Sequence, residues 1–120
     1  MSPDSSRVAD YLRHILEAID RILKYTGGMS KEDFCSSQLV QDAVIRNIEI
    51  LGEASRNIEL HGQEIAAVRD ELPLRDIYLM RNRLAHGYFS VDLSIVWNTV
   101  QTDIPALQSQ VQNVYNRLEK

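Results

Sequence analysis

RVADYLRHILEAIDRILKYTGG, Arg7 to Gly28, sets Val8, Tyr11, Leu12, Ile15, Leu16, Ile19, Ile22 and Leu23 at three- and four-residue spacing. That period lines the apolar side chains along one stripe of an α-helix of about five turns, which the paired Gly27 and Gly28 end. Beyond it, SKED at Ser30 resembles a capping box, and a second apolar stripe follows through Leu39, Val40, Ala43, Val44, Ile48, Leu51 and Ile58 to His61-Gly62. A third, shorter helix is expected from around Pro73, whose fixed φ suits a first turn, through Ile77, Met80 and Leu84 to His86-Gly87. The last starts near Asp92 as N-cap and carries Leu93, Trp97, Val100, Ile104, Leu107, Val111, Val114 and Leu118, with Pro105 expected to kink or split it. Its heptad-like spacing would suit a coiled coil, but antiparallel bundles use the same spacing, and bundle core is the preferred reading. Gln63 to Leu72 is open between loop and a short extra helix. No stretch alternates with period two, so the chain reads as all-α, an up-and-down antiparallel bundle of four to five helices.

Length and charge narrow the functions open to such a bundle. The 120 residues make one domain, 1–120, large enough to bury a core but small enough to leave room for a partner subunit in building a deep site. No apolar run approaches the roughly 20 residues that cross a bilayer, and MSPDSSRVADY lacks the basic start and apolar run of a secretory signal, so no membrane partner and a cytoplasmic location are expected. Cys35 is the sole cysteine and the three histidines are far apart in sequence, so neither a disulfide, a metal site nor another cofactor is expected. A net charge of −4 opposes nucleic-acid binding over the whole surface and leaves only a local basic patch for a polyanion. Ten of the 13 basic residues are arginine, whose planar fork can donate two hydrogen bonds to one phosphate.

One frame occurs twice. RNIELHG, Arg56 to Gly62, and RNRLAHG, Arg81 to Gly87, both place Arg-Asn, three residues, then His-Gly. A glycine past a helix end supplies a left-handed closing residue, and a histidine beside it faces the negative end of the helix dipole, so each HG can serve as a C-cap. That suffices for His61. Arginine and histidine five apart arise by chance roughly 0.25 times in a chain of this composition, but requiring a tyrosine two residues later lowers the expectation to about 0.01. Only the second copy has it, Tyr88; the first has Gln63.

Five residues along an ideal helix turn through roughly 500°, leaving Arg81 and His86 about 140° apart, so they share a pocket only if the helix ends between them. Asn82, four residues before His86, can hydrogen-bond its ring and set the tautomer. An arginine and a histidine without a metal suit RNA cleavage: a neutral imidazole takes the proton of the ribose 2′-OH while the guanidinium offsets charge on the five-coordinate phosphorus. DNA, lacking that hydroxyl, should resist. The leaving 5′-oxygen needs a general acid, which one histidine per chain does not provide, so a two-fold dimer setting two Arg81/His86 pairs across one cleft is expected.

RNRLAHGYFSVD, then IVW and DIPAL, resembles the HepT-like branch of the HEPN superfamily, whose signature is Arg, four residues, His, one residue, Tyr. IRNIEILGEASRNI, Ile45 to Ile58, and PLRDIYLMRN, Pro73 to Asn82, are similar to the segments before the motif, so the resemblance covers most of the chain. Family members often carry Pro-Trp where this chain has Pro73-Leu74. The resemblance implies a HEPN-like bundle and a dimer-forming endoribonuclease toxin that cuts RNA without metal, in homodimers or assemblies of dimers. Its partner is a minimal nucleotidyltransferase antitoxin. Carried over, the catalytic pair falls on Arg81 and His86, the supporting polar residue on Asn82, and the AMP acceptor on Tyr88, where added charge would repel an RNA phosphate. The alternative is a catalytically silent dimeric adaptor that binds a nucleotide or the nucleotidyltransferase; a third reading makes both HG pairs mere caps. Glu49 and Glu53 resemble a carboxylate pair, but Arg46 and Arg56 three residues to either side favour ion pairing. Arg75 and Arg83 add basic charge near the motif, and Arg83 is open between that role and plain solvation.

Overall fold

The computed structural model describes residues 3–84 and 92–118. Two 24-residue helices, α1 (Pro3–Thr26) and α3 (Gln38–His61), form the central pair. They run antiparallel: Tyr11 near the start of α1 stacks on His61 at the end of α3, while Arg21 reaches Asn47. The short α2 (Lys31–Cys35) leads into α3, and α4 (Ala66–Glu71) follows it. α5 (Leu74–Leu84) lies against α3. The last leg consists of α6 (Leu93–Asn98), a π turn (Thr99–Asp103) and α7 (Ile104–Leu118), which packs on α1. The described residues contain no strand, and the bundle is all-α and HEPN-like, 46 × 28 × 19 Å.

The amphipathic stripes drive the packing. Val8, Leu12, Ile15, Ile19 and Ile22 are fully buried, and they meet Val44, Ile48, Leu51 and Ile58 from α3 and Val100, Ile104, Leu107, Val111 and Val114 from the last leg. The last helix thus spends its heptad-like face on the bundle core. Burying side chains of this size contributes about 1.5–3 kcal/mol each. Leu74 is buried as an apolar filler.

Two expectations change in detail. The Ser30 capping box forms, its hydroxyl accepting from the Asp33 N–H and the Asp33 carboxylate from the Ser30 N–H, but it opens α2 rather than the long helix. That helix has its own N-cap, Ser37. Leu39, assigned above to the buried stripe, is 80% exposed. It is five residues before Val44, hence about 140° around the helix from the core. Pro105 does mark a discontinuity, just downstream of the π turn in which the Ile104 N–H donates to the Thr99 carbonyl five residues back. Pro105 brings no N–H to the helix, and the Thr99 and Thr102 hydroxyls donate to the Ile95 and Asn98 carbonyls in the same segment. Gln63 to Leu72 does contain a helix, α4, with Val68 buried beneath it.

Asp92 caps α6 as expected, its carboxylate accepting from the Ser94 and Ile95 N–H groups. At the other end of this leg, Arg117 donates to Glu71 and ties α7 to α4. The pair holds the Glu71 carboxyl below its ordinary value through that hydrogen bond and raises Arg117 for the same reason. No helix among the described residues is long and apolar enough to cross a membrane.

Candidate functional site

α5 begins where Pro73 hands over its carbonyl to the Ile77 N–H, and Leu74, Ile77, Met80 and Leu84 then fix its buried face. Arg81 follows Ile77 by four residues and so lies on the flank of that face, half-buried against α3. Opposite it stands Gly52, buried in the middle of α3. A methyl placed on Gly52 would lie 2.6 Å from Arg81 Cδ, 2.8 Å from its Cβ and 3.1 Å from its Cγ, so the arginine stem occupies the notch the glycine leaves. Arg81 Nε is buried and has no hydrogen-bond partner among the described residues. A charged donor in that state is costly, of order 1–3 kcal/mol or more, and an anion within its reach would relieve part of the cost.

Four residues further along α3 and one turn back on α5, the Arg56 guanidinium lies over the Tyr78 ring, 5.7 Å from its centroid. The two contacts, Gly52 with Arg81 and Arg56 with Tyr78, run in opposite senses along the helices and define an antiparallel seam. Asn82 is half-buried beside it, while Arg75 and Arg83 are exposed. Arg83 borders a groove between α5 and α7 together with Asp103, away from the seam. His86, Gly87 and Tyr88 lie outside the described residues.

The first RN…HG frame is fully described, and its members part company. Arg56 turns to α5, whereas His61, five residues on in the same unbroken helix, turns to α1 and stacks on Tyr11 at 6.3 Å and 19°. The angular separation computed for an Arg/His pair on a continuous helix is realised here. Tyr11 also receives the edge of His14 at 6.2 Å. Gly62 is the C-cap and its N–H donates to the Ile58 carbonyl at 2.7 Å, but its φ is −110°, not left-handed. Its requirement is space, since a Cβ there would sit 2.8 Å from the Ile58 oxygen and 2.9 Å from Val68 Cγ1. Among the described residues the left-handed glycine is Gly28, at φ 79°.

Glu49 pairs with Arg46 at 3.5 Å, and Glu53 borders a separate groove between α1 and α3 with Tyr11, His14, Glu17 and Arg21. The expected pairing thus forms for Glu49, whereas Arg56 lies over Tyr78 rather than pairing with Glu53. Among the described residues no group of three or more His, Cys, Asp or Glu is placed to hold a metal ion. Sequence reasoning overlooked Gly52 and the Arg56–Tyr78 stack. A lone glycine inside an otherwise helical apolar pattern was the available signal for the first.

A family model described as "Ribonuclease HepT-like" matches residues 15–114. Among curated proteins, the chain is 40% identical over 110 residues to a "Gamma-glutamylcyclotransferase and putative RNase" of Methanocaldococcus jannaschii, covering 92% of this chain and 48% of that protein. It therefore spans about half the length of that relative. It is 41% identical over 105 residues to a "Probable ribonuclease HepT" of Thermococcus cleftensis, covering 88% of this chain and 93% of the relative. A "Putative RNase" of Caldanaerobacter subterraneus subsp. tengcongensis is 34% identical over 107 residues, 89% of this chain and 93% of its own length. No solved structure matches significantly.

Proposed function

The chain belongs to the HepT-like ribonuclease family, and from that premise we propose that it is an endoribonuclease toxin whose catalytic pair is Arg81 and His86. The observation that carries the proposal is the state of Arg81: a guanidinium held by its stem between two helices, with a buried Nε that has no partner among the described residues, five positions before the motif histidine. Arg117, by contrast, ends on a carboxylate, that of Glu71.

In this mechanism neutral His86 accepts the proton of the ribose 2′-OH as that oxygen attacks the phosphorus. Arg81 balances the charge that develops on the phosphoryl oxygens, and Asn82 orients the imidazole. The histidine of a second copy, in its protonated form, protonates the departing 5′-oxygen, so the working unit is a homodimer or an assembly of dimers. The products are a 2′,3′-cyclic phosphate and a 5′-hydroxyl. No step needs a metal ion. A minimal nucleotidyltransferase acts as the antitoxin by transferring AMP to Tyr88, two residues from His86, where the added phosphate repels the RNA backbone and the nucleotide blocks the cleft.

RNA cleavage in excess chelator tests the reading. The unsubstituted protein should cut RNA and leave DNA intact, while Arg81→Ala and His86→Ala should each lose about 10²–10⁴-fold in kcat. Equal rates in all three proteins would overturn it. Incubation with the cognate nucleotidyltransferase and ATP should add AMP, by intact mass, to the unsubstituted protein and not to Tyr88→Phe.

A further inference from the structure

Gly52 stands in the interior of a 24-residue helix, where glycine is among the poorest residues for helix formation. No positive φ calls for it there, since Gly28 is the described glycine with that conformation. What calls for it is the arginine across the seam, whose Cβ, Cγ and Cδ all lie within 3.1 Å of where a side chain at 52 would begin.

We propose that Gly52 is a positioning residue for Arg81: the notch it leaves in α3 sets the depth and direction of the arginine stem, and hence where the guanidinium meets the scissile phosphate. The inference rests on the reading of Arg81 as the phosphate-stabilising group and adds the residue, 29 positions away, that aims it. Two of the three contacts involve the near end of the side chain. The 2.8 Å contact is with Arg81 Cβ, which is fixed to the α5 backbone and cannot swing aside as a side-chain tip can. Relief of the 2.6 Å contact to ordinary carbon–carbon separation needs a movement of about 1 Å. The Arg56–Tyr78 stack, one turn along the same seam, opposes separation of the helices at that end. The Cβ contact is relieved only by a local shift of α5 and the Cδ contact by rotation of the stem, and the guanidinium at its tip is carried with both.

A misplacement of about 1 Å in a group that acts on the transition state can cost roughly a hundredfold in rate. Gly52→Ala should accordingly keep the helical circular dichroism and the RNA KM within about threefold while kcat falls roughly 10–100-fold. In an Arg81→Ala background the same substitution should change the residual rate by less than about twofold, because there is no longer a guanidinium to misplace. If Arg81→Ala is inactive but Gly52→Ala, folded, retains full kcat, the positioning role is wrong and the catalytic reading survives. If Arg81→Ala keeps full activity, the catalytic reading itself is wrong. An equal further loss from Gly52→Ala in both backgrounds identifies a general structural role and overturns the proposal. Should Gly52→Ala not fold, 15N NMR of the unsubstituted protein decides: a held stem gives an Arg81 Nε–H signal slow to exchange with water, and one that exchanges as fast as those of exposed Arg13 and Arg46 refutes it.

Discussion

Replacing Gly62 by alanine separates two explanations of the first His-Gly pair. If the glycine closed the helix in a left-handed conformation, alanine would be strained and asparagine, which tolerates that region, would be the better substitute. With φ at −110° neither residue is conformationally penalised, and the cost is steric. A methyl would sit 2.8 Å from the Ile58 carbonyl oxygen, so the cap must retreat by about 0.6 Å to reach ordinary contact. The Gly62 N–H that now donates to that same oxygen at 2.7 Å would then stand at about 3.3 Å, beyond the normal range. The second clash, 2.9 Å to Val68 Cγ1, presses on a fully packed core residue. Overpacking of this kind costs about 1–3 kcal/mol and the weakened hydrogen bond about 1. Loss of unfolded-state freedom returns about 0.4–1 kcal/mol. The net destabilisation should be about 1–3 kcal/mol, seen as a urea midpoint lowered by about 1 M with unchanged slope. Asparagine should be at least as harmful as alanine, and Val68→Ala should soften the effect of Gly62→Ala by more than about 0.5 kcal/mol in a double-mutant cycle. An asparagine variant clearly more stable than the alanine variant would refute the steric reasoning. Because His61 and Arg56 face different neighbours, the RNA cleavage rate per folded molecule should not change.

Ile48→Ala removes a side chain that is 1% exposed at the centre of α3 and should cost about 2–5 kcal/mol in the same urea titration; a loss below 1 kcal/mol would mean the site collapses or is wet. Glu71→Gln tests the α4–α7 tie through pH. The hydrogen bond from Arg117 lowers the folded-state pKa of Glu71, so its stabilisation is present above the ordinary value of 4.5 and is lost as the pH falls through the lowered folded-state value. The melting temperatures of the variant and the unsubstituted protein should therefore differ slightly at pH 7 and converge at strongly acidic pH, and a constant gap across that range would count against the pair.

Much of the fold was legible because a helix is a local object. The buried residues from Val8 to Ile22 and from Val100 to Val114 recur three and four positions apart, and their stripe can be counted without knowing what covers it. The caps at Ser30 and Asp92 are equally local, since each side chain reaches a backbone N–H no more than three residues away. Local rules fell short where termini and exposure depend on neighbours: Ser37 starts a fresh helix, and Leu39 looks apolar enough for the core yet is exposed.

At the candidate site the division is sharper. The linear order of residues, with the family motif it matches, suffices to nominate Arg81, Asn82, His86 and Tyr88 as candidates and to distinguish the second RN…HG frame from the first by its tyrosine, because spacing and residue type are properties of one segment. It could not say that Gly52 receives the stem of Arg81, that Arg56 leaves its own histidine to lie over Tyr78, or that Gly62 is needed for room rather than for φ. Those facts belong to the docking of α3 against α1, α4 and α5. Contacts between residues far apart in the chain are set by how helices settle side by side, and no periodicity within one helix encodes that distance.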